Sequence, residues 1–347
     1  MNRAFELKSC NFTNSSKISD INVLIIKRPQ TNPWFNIAAE EYLMKNMQDD
    51  VFMLWQNEPS VIVGKHQNTM AEINHRYVKE NCIPVIRRIS GGGTVFHDLG
   101  NLNFSFIQSG EREKLVDFRR FVQPIISVLQ NLGVNAKFEG KNDIRVDGLK
   151  VSGNAEHVYK STVLHHGTLL FSSKLGNLNE AIKVNLENYD DKAVKSIRST
   201  VANITDFLED QLSIEEFKNK IIEYIFTHYE DVKYYDLSAS DIKSIEGLAE
   251  EKYKTWEWNY SYSPKFILQK SITFVGKKLE VEMTIKNGLV QDAEIDTAYI
   301  HLKTLMQNII GEKLELDSLR RNITNKRIKS DIADNELNHF LECLIYE

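Results

Sequence analysis

The chain has 347 residues, 43 Lys plus Arg against 48 Asp plus Glu, a formal charge of -5 and 42% hydrophobic residues. That composition excludes a disordered or collagenous chain and disfavours a broadly basic nucleic-acid binder, while leaving room for a local basic pocket. At about 100–200 residues per domain the length suggests two domains, and three cysteines, Cys10, Cys82 and Cys343, supply neither a disulfide framework nor a CxxC metal pair and fit a reducing compartment. No apolar run reaches membrane-spanning length. The opening MNRAFELKSCNFTNSSKISD lacks the apolar core of a secretory signal and reads as a polar leader over 1–20, with organelle targeting left open.

In chain order, NVLIIK (22–27) reads as a strand. Asn32-Pro33 then introduces a helix, WFNIAAEEYLMKNM, with Trp34, Ile37, Ala38, Tyr42 and Leu43 as its expected buried stripe. VFMLW (51–55), SVIVGK (60–65) and PVIRR (84–88) are short strands, and SGGG (90–93) interrupts extended structure that resumes in TVFHDLGNLNFSF. Residues 114–132 have helical periodicity, weakened or kinked by Pro124. Asp147-Gly148 marks a hairpin turn, and STVLHHGTLLF (161–171) a strand. Ser213 and Glu216 have capping-box spacing before a helix over about 214–227. The character changes after YKTWEWNYSYSPKF (253–266). Strands follow near 266–274 and 279–285, with a turn at Asn287-Gly288 and helices near 298–309 and 334–344. The alternation favours a mixed α/β or α+β fold with mixed β-sheets and a smaller C-terminal α/β domain. The expected division is a leader over 1–20, a larger domain over 21–255, a linker over 256–264 at Pro264 and a smaller accessory domain over 265–347.

Two segments concentrate residues with chemical potential. RRISGGGTVFHDLGN joins two arginines to a glycine triplet, whose amides can approach a carboxylate or phosphate. By itself the triplet is equally a tight turn, and it fits neither a dinucleotide fingerprint nor a P-loop. KNDIRVDGLKVSGNAEHV places Lys141, Asn142 and Asp143 before the hairpin and Lys150 after it, with alternation setting Lys150 and Ser152 on one face and Val151 on the other. A strand lysine is ordinarily solvated, but Gly153 beside this one leaves space for a ligand-facing ammonium that neutralises phosphate or carboxylate. Asp143 either brings Mg²⁺ to phosphates or orients the hairpin. His165 and His166 face opposite sides of a strand, so at most one enters a site, and the nine histidines show no zinc spacing. Arg198, in SIRST, has an exposed salt bridge as its ordinary alternative.

Taken together, RRISGGGTVFHDLGN, KND, DGLKVSGNA, LHHGTLLF, SIRS and YKTWEWNYSYSPKF resemble the lipoate–protein ligase family, from about residue 20 to the end and less specifically after 270. The resemblance implies a biotin/lipoate ligase-like catalytic fold and an ATP-dependent reaction: activation of free lipoic acid to lipoyl-AMP, then transfer to a lysine of an apo lipoyl domain. The acceptors it implies are the lipoyl domains of 2-oxoacid dehydrogenase E2 subunits, the glycine cleavage H protein, or both. ATP and Mg²⁺ are the implied cofactors, the location is cytoplasmic, and neither nucleic acid nor membrane is a partner. Carried onto this chain, Arg88, Gly91, Gly92, Gly93, His97, Asn101, Asn154 and His166 serve the lipoyl substrate. Gly93, Thr94, Asn142, Asp143, Lys150 and Arg198 serve the nucleotide, with Asp143 toward the metal. Lys150 is the catalytic residue, contacting both the lipoyl carbonyl and the phosphate.

The chain departs from relatives at Asn154-Ala155, at His157 where some have arginine, at Asn103 where a bacterial relative has cysteine, and in a less glycine-rich 191–199 loop. An ATP-independent lipoyltransferase is the nearest alternative. A cysteine-dependent octanoyltransferase is disfavoured because no cysteine lies between Cys82 and Cys343. The intact lysine and glycine motifs argue against a non-enzymatic binding module.

Overall fold

The computed structural model describes residues 23–27, 29–110, 115–182, 186–325 and 334–346. The leader expected over 1–20, with Cys10, lies outside the described residues. The chain runs β1 (Val23–Ile26), α1 (Pro33–Asn46), β2 (Asp50–Trp55), β3 (Ser60–Val63), the short helices α2 (Thr69–Glu72) and α3 (His75–Glu80), β4 (Val85–Arg87), β5 (Val95–His97) and β6 (Asn101–Ser109). It continues through α4 (Phe118–Asn131), β7 (Ala136–Glu139), β8 (Asp143–Val146), β9 (Leu149–Tyr159), β10 (Thr162–Leu170), α5 (Leu175–Ala181), β11 (Tyr189–Asp191), α6 (Ile214–His228), β12 (Lys233–Tyr235) and α7 (Ala239–Leu248). The remainder is β13 (Phe266–Phe274), β14 (Lys277–Lys286), β15 (Leu289–Asp296), α8 (Ile300–Asn308), α9 (Leu316–Asn325) and α10 (Asp334–Ile345).

An eight-stranded mixed sheet, ordered β12-β1-β2-β6-β10-β9-β8-β7, forms the base of the larger part. Its alternation sorts side chains cleanly. Phe52 and Leu54 of β2, with Leu102, Phe104 and Phe106 of β6, pack with α4 and α6, while Val51, Met53 and Trp55 turn to the other face, against α1 and α7. On that second face β6 presents Asn101, Asn103 and Ser105, all buried. A small sheet, β4-β3-β5, packs on this second face through Ile62 and Ile86, and it carries the glycine triplet between β4 and β5.

The local signals explain most boundaries. Asn32 caps α1 by accepting from the Phe35 amide at 3.1 Å, with Pro33 in the first turn where its missing N–H costs nothing. Ser213 and Glu216 form the expected reciprocal box. Asp147 (φ 50°) and Gly148 (φ 80°) take the left-handed backbone that a tight hairpin between β8 and β9 requires. Other expectations are corrected. The helix expected from 114 starts at Phe118, where Asp117 caps it, and accommodates Pro124 inside its span. In α1, Trp34 and Tyr42 are only half-buried, whereas Glu40 and Glu41 are buried. The simple alternation drawn through Lys150, Val151 and Ser152 is broken by a bulge: Arg145 faces Lys150, Ile144 faces Ser152, and Val151 is the extra residue.

The C-terminal sheet, β11-β13-β14-β15, is antiparallel and packs against α8, α9 and α10, with Met283, Leu302, Leu319 and Phe340 at the centre of its core. It includes β11, which precedes α6 in the chain, and its core also takes in Met70 and Ala71. Residues 256–264 make buried contacts with the larger part: the Asn259 side chain accepts from the Arg87 amide at 2.8 Å. No helix among the described residues is long and apolar enough to cross a membrane.

Candidate active site

The register of the large sheet places Trp55 opposite Asn103, Asn103 opposite Thr168, Thr168 opposite Gly153, and Gly153 opposite Asp143. Directly paired residues share a face, so these five form one row across β2, β6, β10, β9 and β8, spanning roughly 19 Å at about 4.8 Å per strand. All five line a cavity of about 440 Å³ roofed by the glycine loop and by residues 194–197 and Ser199. The lining changes character along the row. Ile37, Trp55 and Ile62 make one end apolar, and Asn142, Asp143, Arg145 and Lys150 make the other polar and charged.

A second chamber, also of about 440 Å³, adjoins the charged end. Phe96, Leu170, Leu178 and Val201 give it apolar walls, with Arg198 among its polar groups. Lys150, Gly153, Thr168, Thr94 and Ser196 line both spaces. The lysine ammonium therefore stands where the two chambers meet. Asp143 holds it there at 2.8 Å while its other oxygen pairs with Arg145, also at 2.8 Å. The lysine main chain is equally fixed, because its amide donates to Thr200 O and its carbonyl accepts from the Ala202 amide. Gly153 makes room for it: a Cβ there would stand 2.9 Å from both Cε and Nζ.

The glycine loop is shaped by Arg88. Its Nη2 donates to the carbonyls of Gly91 and Gly93, its Nη1 to Ile62 O at 3.1 Å and its Nε to Ser90 Oγ at 3.0 Å. Burial draws this guanidinium down to about 10, against the pull of Glu40. Gly92 has φ 87°, which a residue with a Cβ resists. Gly64 permits the close approach of the loop, since a Cβ there would fall 2.1 Å from the Gly92 carbonyl oxygen.

The 191–199 segment is pinned over the cavity by Ser196. Its hydroxyl donates to the Glu72 carboxylate and accepts from the Thr94 amide at 2.9 Å and from Gln67 Nε2 at 3.0 Å. Burial raises the Glu72 pKa, with the Ser196 bonds opposing it. Beneath the apolar end runs a buried polar chain. The Ser90 hydroxyl meets His166 Nε2 at 2.6 Å, and His166 Nδ1 meets Glu40 at 2.9 Å. Glu40 also accepts from Ser105 Oγ, which in turn accepts from Trp55 Nε1 at 2.9 Å. His97 is kept neutral: burial, with Arg88 and His166 nearby, lowers its pKa to about 3.

Of the residues named from sequence, Arg88, Gly92, Gly93, Thr94, His97, Asn142, Asp143, Lys150, Asn154 and His166 line the first cavity. Gly91 contributes its carbonyl to Arg88, and Asn101 is buried beneath the row, donating to Asn103 Oδ1 at 2.9 Å. Arg198 faces the second chamber only. His165 points the opposite way from His166, into the aromatic core beside Phe121 and against Glu156. Sequence reasoning missed Glu40, Trp55, Gln67, Glu72, Ser105 and Ser196. Two adjacent glutamates inside an otherwise apolar helix, and the N-L-N-F-S-F alternation of β6, were the available signals.

A family model described as the lipoyl protein ligase A/B catalytic domain matches residues 32–226. A Bacillus subtilis (strain 168) protein named lipoate-protein ligase LplJ is 42% identical over 268 residues, 76% of this chain and 81% of its own length. A Staphylococcus aureus (strain Mu50) protein named lipoate–protein ligase 1 is 44% identical over 267 residues, again 76% and 81%. Among solved structures, a lipoate-protein ligase A bound with ATP superposes with a TM-score of 0.58 at 27% identity, covering 70% of this chain and 98% of the other. The Plasmodium falciparum LipL1 complex with lipoate gives 0.59 at 25% identity, covering 92% and 98%.

Proposed function

The chain belongs to the lipoate–protein ligase family, and from that premise we propose how its two chambers divide an ATP-dependent ligation between them. Lipoate lies along the strand row, its chain against Ile37, Trp55 and Ile62 and its carboxylate beside Gly93 and Lys150. The nucleotide base and ribose occupy the second chamber, between Phe96, Leu170 and Leu178. The observation that carries this reading is Lys150, a cation lining both spaces at their junction.

In the first step a lipoate carboxylate oxygen attacks the α-phosphorus of ATP, pyrophosphate leaves, and lipoyl-AMP forms. The carboxylate is ionised at pH 7 and needs position rather than activation. Lys150 neutralises charge on the α-phosphate, and Arg145 lies beside it through their common partner Asp143. In the second step the acceptor lysine amine attacks the lipoyl carbonyl. The same ammonium polarises that carbonyl, and AMP departs with the former carboxylate oxygen.

Mg²⁺ prefers oxygen ligands and commonly binds through one or two carboxylates plus substrate phosphates. Among the described residues no cluster of three metal-ligating side chains exists. Asp143, with one oxygen on Lys150 and the other on Arg145, is the carboxylate that would hold an ion arriving with the nucleotide on the phosphate side. Bound there, Mg²⁺ supplies further charge neutralisation.

The acceptor is an apo lipoyl domain, of a 2-oxoacid dehydrogenase E2 subunit or a glycine cleavage H protein. The reported pairing of a Thermoplasma acidophilum bipartite lipoate protein ligase with its E2 lipoyl domain supports this choice. We assign residues 21–255 to the catalytic domain and 265–347 to an accessory domain, and place the reaction in the cytoplasm. Among the described residues the cysteines are Cys82, exposed, and Cys343, half-buried, and neither lines either chamber, which gives no support to an acyl-cysteine route. The test supplies free lipoate, ATP and a purified apo lipoyl domain and follows acceptor mass and pyrophosphate. Modification with stoichiometric pyrophosphate supports ligation. Modification only from supplied lipoyl-AMP would favour an ATP-independent transferase.

A further inference from the structure

Arg87, the arginine beside the loop-shaping Arg88, is fully buried and lines neither chamber. Its donors go to carbonyl and hydroxyl oxygens of two segments far apart in sequence. On one side Nη1 donates to the carbonyls of Gly64 and Lys65 at 3.0 Å and of Gln67 at 2.8 Å. On the other, Nη2 donates to Asn259 O at 3.0 Å and Ser263 Oγ at 2.9 Å, and Nε to Trp258 O at 3.0 Å. Its own carbonyl accepts from Trp258 Nε1 at 2.7 Å. A planar fork with five N–H donors suits such a junction, and an ammonium cannot reproduce it.

Each side continues outward. The 64–67 loop presents Gln67, whose Oε1 accepts from the Gly64 amide at 2.8 Å and from Thr94 Oγ1 at 2.9 Å, and whose Nε2 donates to Ser196. The neighbouring His66 carbonyl accepts from the Val194 amide at 3.1 Å. The 257–263 turn is fastened to the C-terminal part. Ser261 Oγ donates to Asn287 O at 2.6 Å, and Glu257 pairs with Lys313 at 2.7 Å.

We propose that Arg87 is a positioning residue that makes the nucleotide half of the site depend on the seating of the 257–263 turn. The physical route is one contiguous set of hydrogen bonds: turn, Arg87, the 64–67 loop, Gln67, then Thr94 and Ser196 at the junction of the chambers. Loosening the fork frees the carbonyls that shape the 64–67 loop. Gln67 then no longer holds Ser196 and Thr94 in place. Of the residues set against the acyl chain, Trp55 lies in the large sheet and Ile37 on α1, and neither takes part in this fork; only Ile62, in β3, adjoins the 64–67 loop. Disturbance at Arg87 therefore falls more on ATP than on lipoate.

The inference rests on the reading that the second chamber takes ATP, and the test separates the two. Wild type, Arg87→Lys, Ser263→Ala, Gln67→Ala and the Arg87→Lys/Gln67→Ala double variant are assayed as the full chain. Lipoate affinity is measured by calorimetry, lipoate-dependent ATP–pyrophosphate exchange gives KM for ATP and kcat, and thermal melting reports folding. Absence of exchange in the wild type would overturn the functional reading itself. With exchange present, KM for ATP is expected to rise about tenfold in Arg87→Lys and Gln67→Ala and about threefold in Ser263→Ala, with lipoate affinity within twofold of wild type. The double variant should match the worse single variant, because both act in one chain of contacts. If Arg87→Lys does not fold, Ser263→Ala and Gln67→Ala carry the same comparison. Unchanged KM for ATP in these variants, or lipoate affinity falling in step with it, would overturn the inference; so would multiplying effects in the double variant.

Discussion

Substituting Gly153 by Ala perturbs the junction without removing a charged group. The added Cβ would stand 2.9 Å from Lys150 Cε and Nζ, with no other atom within 4 Å. Ordinary carbon contacts lie at about 3.5–4.0 Å, so the end of the lysine must withdraw by roughly 1 Å. That shift opens its 2.8 Å pair with Asp143 and moves the ammonium off the point common to both chambers. Misplacement by about 1 Å costs up to roughly 10²-fold in rate. The fold should tolerate the change, because the obstructed atoms are the flexible end of one side chain. Lys150 stays tied to residues 200–202 through its backbone. We therefore expect exchange and transfer from supplied lipoyl-AMP each to fall about 10²-fold, with melting displaced by no more than a few degrees. Adding Gly153→Ala to a Lys150→Ala background should cost little more. A Gly153→Ala enzyme with wild-type rates, or one that loses activity equally in the Lys150→Ala background, would refute this reasoning.

Lys150→Ala itself should lower both steps by about 10²–10³, measured in the same two assays. Its stability should change by less than about 1 kcal/mol, since the ammonium is partly exposed and Asp143 keeps Arg145. Within the glycine triplet, Gly92→Ala should destabilise by about 1 kcal/mol or more because of its φ of 87°, whereas Gly91→Ala, with no atom within 4 Å of the added Cβ, should melt like the wild type. Acid should destabilise the protein. Burial pushes the Glu41 carboxyl up, but hydrogen bonds from Lys252, Lys45 and Tyr253 outweigh it and leave it at about 2, below the ordinary 4.5. A carboxyl depressed in the folded state contributes stability above about pH 4.5 and gives it up as pH falls toward 2, so Glu41→Gln should cost about 3 kcal/mol at neutral pH and little near pH 2 in denaturant titrations. Burial also holds His75 at about 4 and His97 at about 3, so part of the acid loss should begin as pH drops below 6.5.

The polar end of the site was legible because its residues cluster in sequence. KND, the Asp147-Gly148 turn and Lys150 lie within one hairpin, whose turn chemistry is local, and Gly153 follows in β9. The bulge at Val151 was not legible, since periodicity cannot register one extra residue opposite a partner strand. Glu40 and Ser105 escaped because their role depends on strands and helices brought together by topology: His166 and Trp55 reach them from elements far apart in sequence. Arg87 was hidden by its neighbour. Two consecutive arginines face opposite sides of a strand, and only the fold shows that one shapes the glycine loop while the other joins the 64–67 loop to the 257–263 turn. Strands β13 and β14 and the Asn287-Gly288 turn followed from alternation and turn chemistry, whereas β15 and the distant β11 of the same sheet were not read. Helix α9 was missed although Leu316, Leu319 and Ile323 keep helical spacing, since three apolar residues in ten make a short stripe that only packing in the C-terminal core reveals.

The central claim is that this cavity joins a carboxylate to the α-phosphate of ATP with Lys150 between them. Exchange of labelled pyrophosphate into ATP, measured with and without free lipoate and with no acceptor protein present, tests it directly. The account predicts exchange that requires lipoate and drops about 10²–10³-fold in Lys150→Ala. Wild-type protein that transfers lipoyl from supplied lipoyl-AMP yet shows no lipoate-dependent exchange would contradict it.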